Sequence, residues 1–75
     1  MKELRERGLY RLLDGAELVA SPAARGGGYA LYDPQVWKQY GVPDYQVDDH
    51  GRLSRMGEST RWSAEDLIDT GDTAA

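Results

Sequence analysis

The chain has 75 residues, no cysteine, and thirteen acidic against nine basic residues, for a formal charge of −4. That composition excludes a disulfide scaffold and allows one domain with one small core. It also makes nucleic acid a poor default partner, because an acidic surface is repelled by phosphate backbones. A chain of this size buries only about 60 to 65% of the surface its unfolded form exposes, and below roughly 80 residues a metal or self-association often supplements the core.

A cysteine-free small domain suits a reducing compartment, read here as cytoplasmic. The start, "MKELRERGLYRLL", has no apolar run of signal-peptide length, and no stretch approaches the about 18 apolar residues that span a bilayer, so no membrane partner is expected. The single domain is expected over residues 1–75. Residues 1–7 are too few for a stable helix and should form a frayed lead-in or one docked turn. Residues 72–75 should be a loose tail.

"GLYRLLDGAELVAS" is the clearest hairpin signal: strands from about Leu9 to Leu13 and Ala16 to Ala20 flank Asp14-Gly15, which suits a tight two-residue turn. Alternation puts Tyr10 and Leu12 on one face and Leu9, Arg11 and Leu13 on the other. Both faces carry apolar groups, so the strand is either covered on both sides or reset by a bulge. "SPAARGGG" follows as a connector whose three glycines, Gly26 to Gly28, make it the most mobile internal segment expected. A phosphate-binding use would need a strand before it and a helix after, and "YALY" after it reads as a strand, Tyr29 to Tyr32.

"DPQVWKQYGVP" carries helix punctuation in order: Asp33 as N-cap, Pro34 in the first turn, and Gly41 where a left-handed stop is wanted. The spacing predicts a short helix from Pro34 to Tyr40 with Val36, Trp37 and Tyr40 on one face. "YQVDDHGRLSRM" predicts a second hairpin turning at Asp49-His50-Gly51. Leu53 and Met56 are three apart, so its second strand is short or bulged, and "GESTRW" adds another strand up to Trp62. "SAEDLIDTG" predicts a second helix, with Ser63 as N-cap, Glu65 and Asp66 in the first turn, Leu67 and Ile68 buried, and Gly71 at the end. The fold class expected is therefore α+β: a small antiparallel sheet of four to five strands with two short helices, in the order βββαββα.

Two clusters bear on chemistry. "LIDTG", Leu67 to Gly71, is how an aspartic protease presents its catalytic aspartate, yet such a site needs two loops whose carboxylates share a proton and long supporting strands after each loop. Only four residues follow Gly71, so Asp69 is expected at a helix end. "DDHG" sets Asp48 and Asp49 beside the only histidine, His50. Neighbouring residues alternate faces and no second histidine completes a zinc site, so a solvated turn is expected and no metal is assigned. With no thiol and no nucleophile elbow, no catalytic residue and no cofactor are assigned.

The aromatic residues are the best lead. Tyr and Trp dominate binding hot spots, and Tyr32, Trp37 and Tyr40 are the candidate binding patch. The expected function is a non-catalytic intracellular binding or regulatory module acting through protein contacts, with a protein partner or self-association as a homodimer. The first alternative is a small β-rich nucleic-acid binder using Lys2, Arg5, Arg7 and Arg11 together with Arg52, Arg55 and Arg61, if these meet on one face. The second is a metal-assisted enzyme centred on Asp48, Asp49 and His50.

Overall fold

The structure, a computed structural model, describes residues 3–23, 28–35, 37–38 and 42–74. It contains seven strands: β1 (Gly8–Arg11), β2 (Glu17–Pro22), β3 (Tyr29–Tyr32), β4 (Tyr45–Val47), β5 (Arg52–Arg55), β6 (Glu58–Ser63) and β7 (Ile68–Thr73). All pair antiparallel in one sheet, in the order β6-β5-β4-β3-β2-β1-β7. The only helical element among the described residues is a single 3₁₀ turn, Ala64–Asp66.

Chain length dictates the shape of this sheet. A flat seven-stranded sheet would be about 29 Å wide at 4.8 Å per strand. The link between β6 and β7, the two outermost strands, can reach only about 18 Å from Ser63 to Ile68 when fully stretched. The longest dimension of the molecule is 27 Å. The sheet therefore rolls up, and the 3₁₀ turn in the link between β6 and β7 is pinned by Ala64 N–H to the Gly51 carbonyl at 2.7 Å.

The inside of the roll is the core. Tyr10, Leu12, Leu18, Ala20, Leu31, Tyr45, Val47 and Leu53 line it from β1 to β5, and Leu4, Ala64 and Leu67 from outside the strands complete it. Leu18, Val19 and Ala20 are all fully buried although neighbours on a strand face opposite ways. Leu18 and Ala20 belong to the inner cluster, whereas Val19 lies outside it, between Leu9 of β1 and Tyr32 of β3. The centre of β2 is thus covered on both sides.

The α+β class expected from the sequence is corrected by this structure, which is almost entirely sheet. Both expected helices begin as read and then stop. At the first, the Asp33 carboxylate accepts Gln35 N–H at 2.8 Å and its carbonyl accepts Trp37 N–H at 3.0 Å, but Pro34, Gln35, Trp37 and Lys38 form turns only. Val36 and residues 39–41 lie outside the described residues. Seven residues gain too few internal hydrogen bonds to offset helix nucleation. At the second, Ser63 N–H is capped by Asp66 Oδ2 at 2.8 Å, but Leu67 returns to extended geometry (φ −84°, ψ 127°) and buries its side chain in the core. Ile68–Thr73 then pairs with β1 instead of continuing a helix. A helix there would leave the edge of β1 away from β2 unpaired, and the bulged ladder with β7 satisfies it.

The turns largely follow the sequence. Leu12 N–H bonds the Ala16 carbonyl and Gly15 N–H the Leu12 carbonyl, while Asp48, Gly51 and Arg52 repeat the same pattern. Both hairpins therefore have three-residue loops, a type I turn closed by a left-handed glycine, where the first was expected to have two. Met56 and Gly57 (φ +52° and +83°) make a two-residue type I′ turn between β5 and β6. This places Met56 in solvent and explains why it breaks alternation with Leu53. The expected mobile segment around Gly26 and Gly27 lies outside the described residues. Gly28 has φ +82°, and a Cβ there would run into the Val47 carbonyl.

Residues Glu3 to Arg7 are docked rather than loose. Leu4 is buried, the Tyr10 hydroxyl accepts Arg5 N–H at 2.7 Å, the Tyr29 hydroxyl accepts Leu4 N–H at 3.3 Å, and Arg7 N–H bonds the Ala20 carbonyl. Asp72 and Thr73 belong to β7, and Ala74 N–H bonds the Arg7 carbonyl at 2.7 Å.

Candidate functional site

Tyr32 and Trp37 are brought together. Tyr32 stands on the outer face of β3 opposite Val19, and the turn initiated at Asp33 carries Trp37 back so that the two rings lie 6.4 Å apart, tilted by 51°. Both are half-buried. Tyr40, the third residue of the expected patch, lies outside the described residues. The remaining aromatic residues serve the core: Tyr10 and Tyr45 are buried in it, and Tyr29 and Trp62 pack against it.

Beside Trp37 a groove of about 380 Å³ runs between the turn after β3 and the end of β7, lined by Leu9, Pro34, Gln35, Trp37, Lys38, Thr73 and Ala74. A bulge borders it. Gly8 faces Thr73 and Tyr10 faces Asp69, so Leu9 alone stands opposite Thr70, Gly71 and Asp72. The extra residues are stitched down by Thr70 Oγ1 donating to the Leu9 carbonyl at 2.8 Å, and by Gly71 N–H donating to Asp69 Oδ1 at 2.8 Å. Such a bulge bends its strand locally. One wall of the groove is therefore held by sheet pairing, and the other by the Asp33 turn. Lys38 Nζ lies 5.8 Å from the centre of the Trp37 ring. Leu9, Lys38, Thr73 and Ala74 were not among the residues singled out from the sequence. For Leu9 alone the sequence held a signal, the apolar run Leu18-Val19-Ala20, which implies a second covered face on β2.

Asp69 is neither a helix end nor one of a carboxylate pair. It sits in β7 and takes both Arg5 Nε (2.9 Å) and Arg5 Nη2 (2.6 Å) in a two-pronged pair, and the same guanidinium donates to Thr73 Oγ1 and the Asp72 carbonyl. The hydrogen bond to Asp69 is the leading reason that Arg5 is held even more basic than usual. Such a fork fixes geometry and clips the chain start onto β7.

Asp48 caps its own turn, its Oδ1 accepting N–H groups of both Arg52 and His50 at 2.9 Å. Those bonds, Arg52 first, hold its carboxyl below the usual range. His50 Nε2 lies 3.6 Å from Asp49 Oδ1, and both side chains are largely in solvent. Among the described residues, no group of three or more His, Asp or Glu side chains is disposed around a common point.

Several of the basic residues are already engaged. Arg5 is committed to Asp69 and Arg11 to Glu17 at 2.9 Å; Lys2 lies outside the described residues. Arg52 Nη1 donates to the Thr60 carbonyl, Arg55 lies over Tyr45 at 5.5 Å and Arg61 over Trp62 at 4.8 Å. Because Leu53 points inward, Arg52 and Arg55 on either side of it in β5 lean to opposite faces.

No helix among the described residues is long and apolar enough to cross a membrane. Compared with known proteins, the chain matches no family model, no curated protein and no solved structure.

Proposed function

We propose that the protein is a non-catalytic binding module of a reducing compartment such as the cytoplasm, and that it takes a short segment of a partner protein into the groove beside Trp37. The observation that carries this reading is the groove itself, an open, mostly apolar cleft of about 380 Å³ with a half-buried tryptophan on its wall. Binding sites are commonly concave, apolar and about 300–1,000 Å³ in volume, and tryptophan is among the residues most often found to anchor contacts. The polar residues that suggested catalysis have other employment: Asp69 holds Arg5, and Asp48 closes a hairpin. A cleft holding two or three side chains supports only weak, roughly micromolar affinity.

A displayed library of random eight-residue peptides, selected on the folded protein, tests this. The expected result is a set of enriched apolar peptides whose binding falls at least tenfold in Trp37→Ala while the melting temperature stays within a few degrees of wild type. Failure to enrich any sequence, or equal binding by Trp37→Ala, would contradict the reading. A homodimer that covers Trp37 in the absence of peptide would replace the partner with a second copy of the chain.

The nucleic-acid reading has less support, because Arg52 and Arg55 lean to opposite faces of β5 and Arg5 and Arg11 are paired with carboxylates.

A further inference from the structure

The groove has a charge character that the net charge of the chain conceals. Of the described residues that line it, Leu9, Pro34, Trp37 and Ala74 are apolar, Gln35 and Thr73 are neutral, and Lys38 is ionisable. The Lys38 ammonium rests over the Trp37 ring at 5.8 Å, and among the described residues no carboxylate lies within ion-pair distance of it. The nearest acidic residue along the chain, Asp33, has its Oδ1 occupied by Gln35 N–H. On a chain of charge −4, the rim of this apolar cleft thus presents a cation that no carboxylate among the described residues pairs with.

Resting on the reading above, we propose that the segment bound by the groove is an apolar stretch of a partner protein carrying an aspartate or glutamate beside its anchoring side chain. The anchor packs on Leu9 and the edge of Trp37, and the carboxylate meets Lys38 at the rim. A ring face and an ammonium already in contact are arranged to receive an anion, since the carboxylate pairs with the ammonium without displacing it from the ring. A segment with lysine or arginine at the same place sets like charges side by side at the edge of an apolar site, and is rejected for that reason. Because Lys38 is exposed, the effect is on selectivity and on association rate more than on overall affinity.

The test is a pair of selections from one random peptide library, on the wild type and on Lys38→Glu, followed by affinity measurements at low and high salt on twin peptides that differ only in Glu or Lys. The wild type is expected to enrich acidic apolar peptides and to prefer the glutamate twin by roughly fivefold, a preference weakened by salt. Lys38→Glu is expected to reverse it. Peptides that bind through Trp37 with no charge preference, or with the same preference in both proteins, overturn this inference and leave the groove reading standing. Absence of any Trp37-dependent peptide overturns both. Tighter binding of decanoate than of the acidic peptide would assign the groove to a free apolar carboxylate and also overturn the protein-segment occupant.

Discussion

Arg5 and Asp69, sixty-four residues apart in sequence, join through two parallel hydrogen bonds of 2.9 and 2.6 Å, and this fork fastens the start of the chain to its last strand. Together with the bond from Ala74 N–H to the Arg7 carbonyl, it fixes β7 on β1, and with it the wall of the groove. The same aspartate, read along the chain alone, invites comparison with a protease active site. Its partner shows it to be a clamp.

Replacing Arg5 by Lys keeps the charge but removes the fork. Arg5→Lys and Arg5→Ala should both accelerate hydrogen exchange at the Ala74 and Gly8 amides. Both should lower the melting temperature by less than Leu12→Ala, because Arg5 and Asp69 are about 40% exposed. Hydrogen exchange followed by NMR or mass spectrometry checks this. Unchanged exchange at Ala74 would show that β7 is held without the clamp.

Asp48 makes stability depend on pH. Its folded carboxyl titrates below the ordinary value, chiefly through the Arg52 amide, so its contribution is present above the unfolded carboxylate pKa and is lost as pH falls through the folded one. Urea unfolding across the acid range should show Asp48→Asn losing the acid-side slope that this carboxylate supplies. Asp48→Ala, which also removes the acceptor for two N–H groups, should be less stable than Asp48→Asn at neutral pH.

Two glycines separate backbone conformation from crowding. Gly15 (φ +94°) has open space where a Cβ would stand, so Gly15→Ala should lose only the left-handed penalty, about 1–2 kcal/mol. Gly28 (φ +82°) carries the same penalty and in addition faces the Val47 carbonyl, so Gly28→Ala should lose clearly more and loosen the β3–β4 pairing. Chemical denaturation of the two variants side by side checks the order.

Met56, like Arg7, is a left-handed non-glycine residue; it stands at the first position of a type I′ turn and is 94% exposed. Met56→Asn should stabilise the protein by roughly 0.5–1 kcal/mol, since Asn adopts this geometry with less strain and the Met side chain packs on nothing. A higher urea midpoint with an unchanged slope is the expected result.

Local signals were legible where they act locally. Gly15 and Gly51 mark real hairpins, Tyr29–Tyr32 and Tyr45–Val47 are strands as their composition suggests, Asp33 does cap the turn that follows it, and the turn after Ser63 starts where expected, though through the Asp66 carboxylate accepting Ser63 N–H. What sequence could not supply was the competition between a helix and a distant strand. "IDTGDT" has little intrinsic strand preference, and it is extended because β1 offers an unpaired edge and because Leu67 must bury itself first. The same holds for the groove. Tyr32 and Trp37 can be placed near each other from the Asp33 turn, but Leu9, Thr73 and Ala74 join them only through the roll of the sheet and the bulge in β7.

The most direct test of the account is to map, by NMR on the isotopically labelled protein, where a peptide enriched by selection binds. The expected result is a contiguous set of shifts at Leu9, the Trp37 indole, Lys38, Thr73 and Ala74, absent in Trp37→Ala. Shifts centred instead on Arg52, Arg55 and Arg61, particularly if a single-stranded oligonucleotide reproduces them at low salt, would place recognition on the β5–β6 hairpin and contradict it.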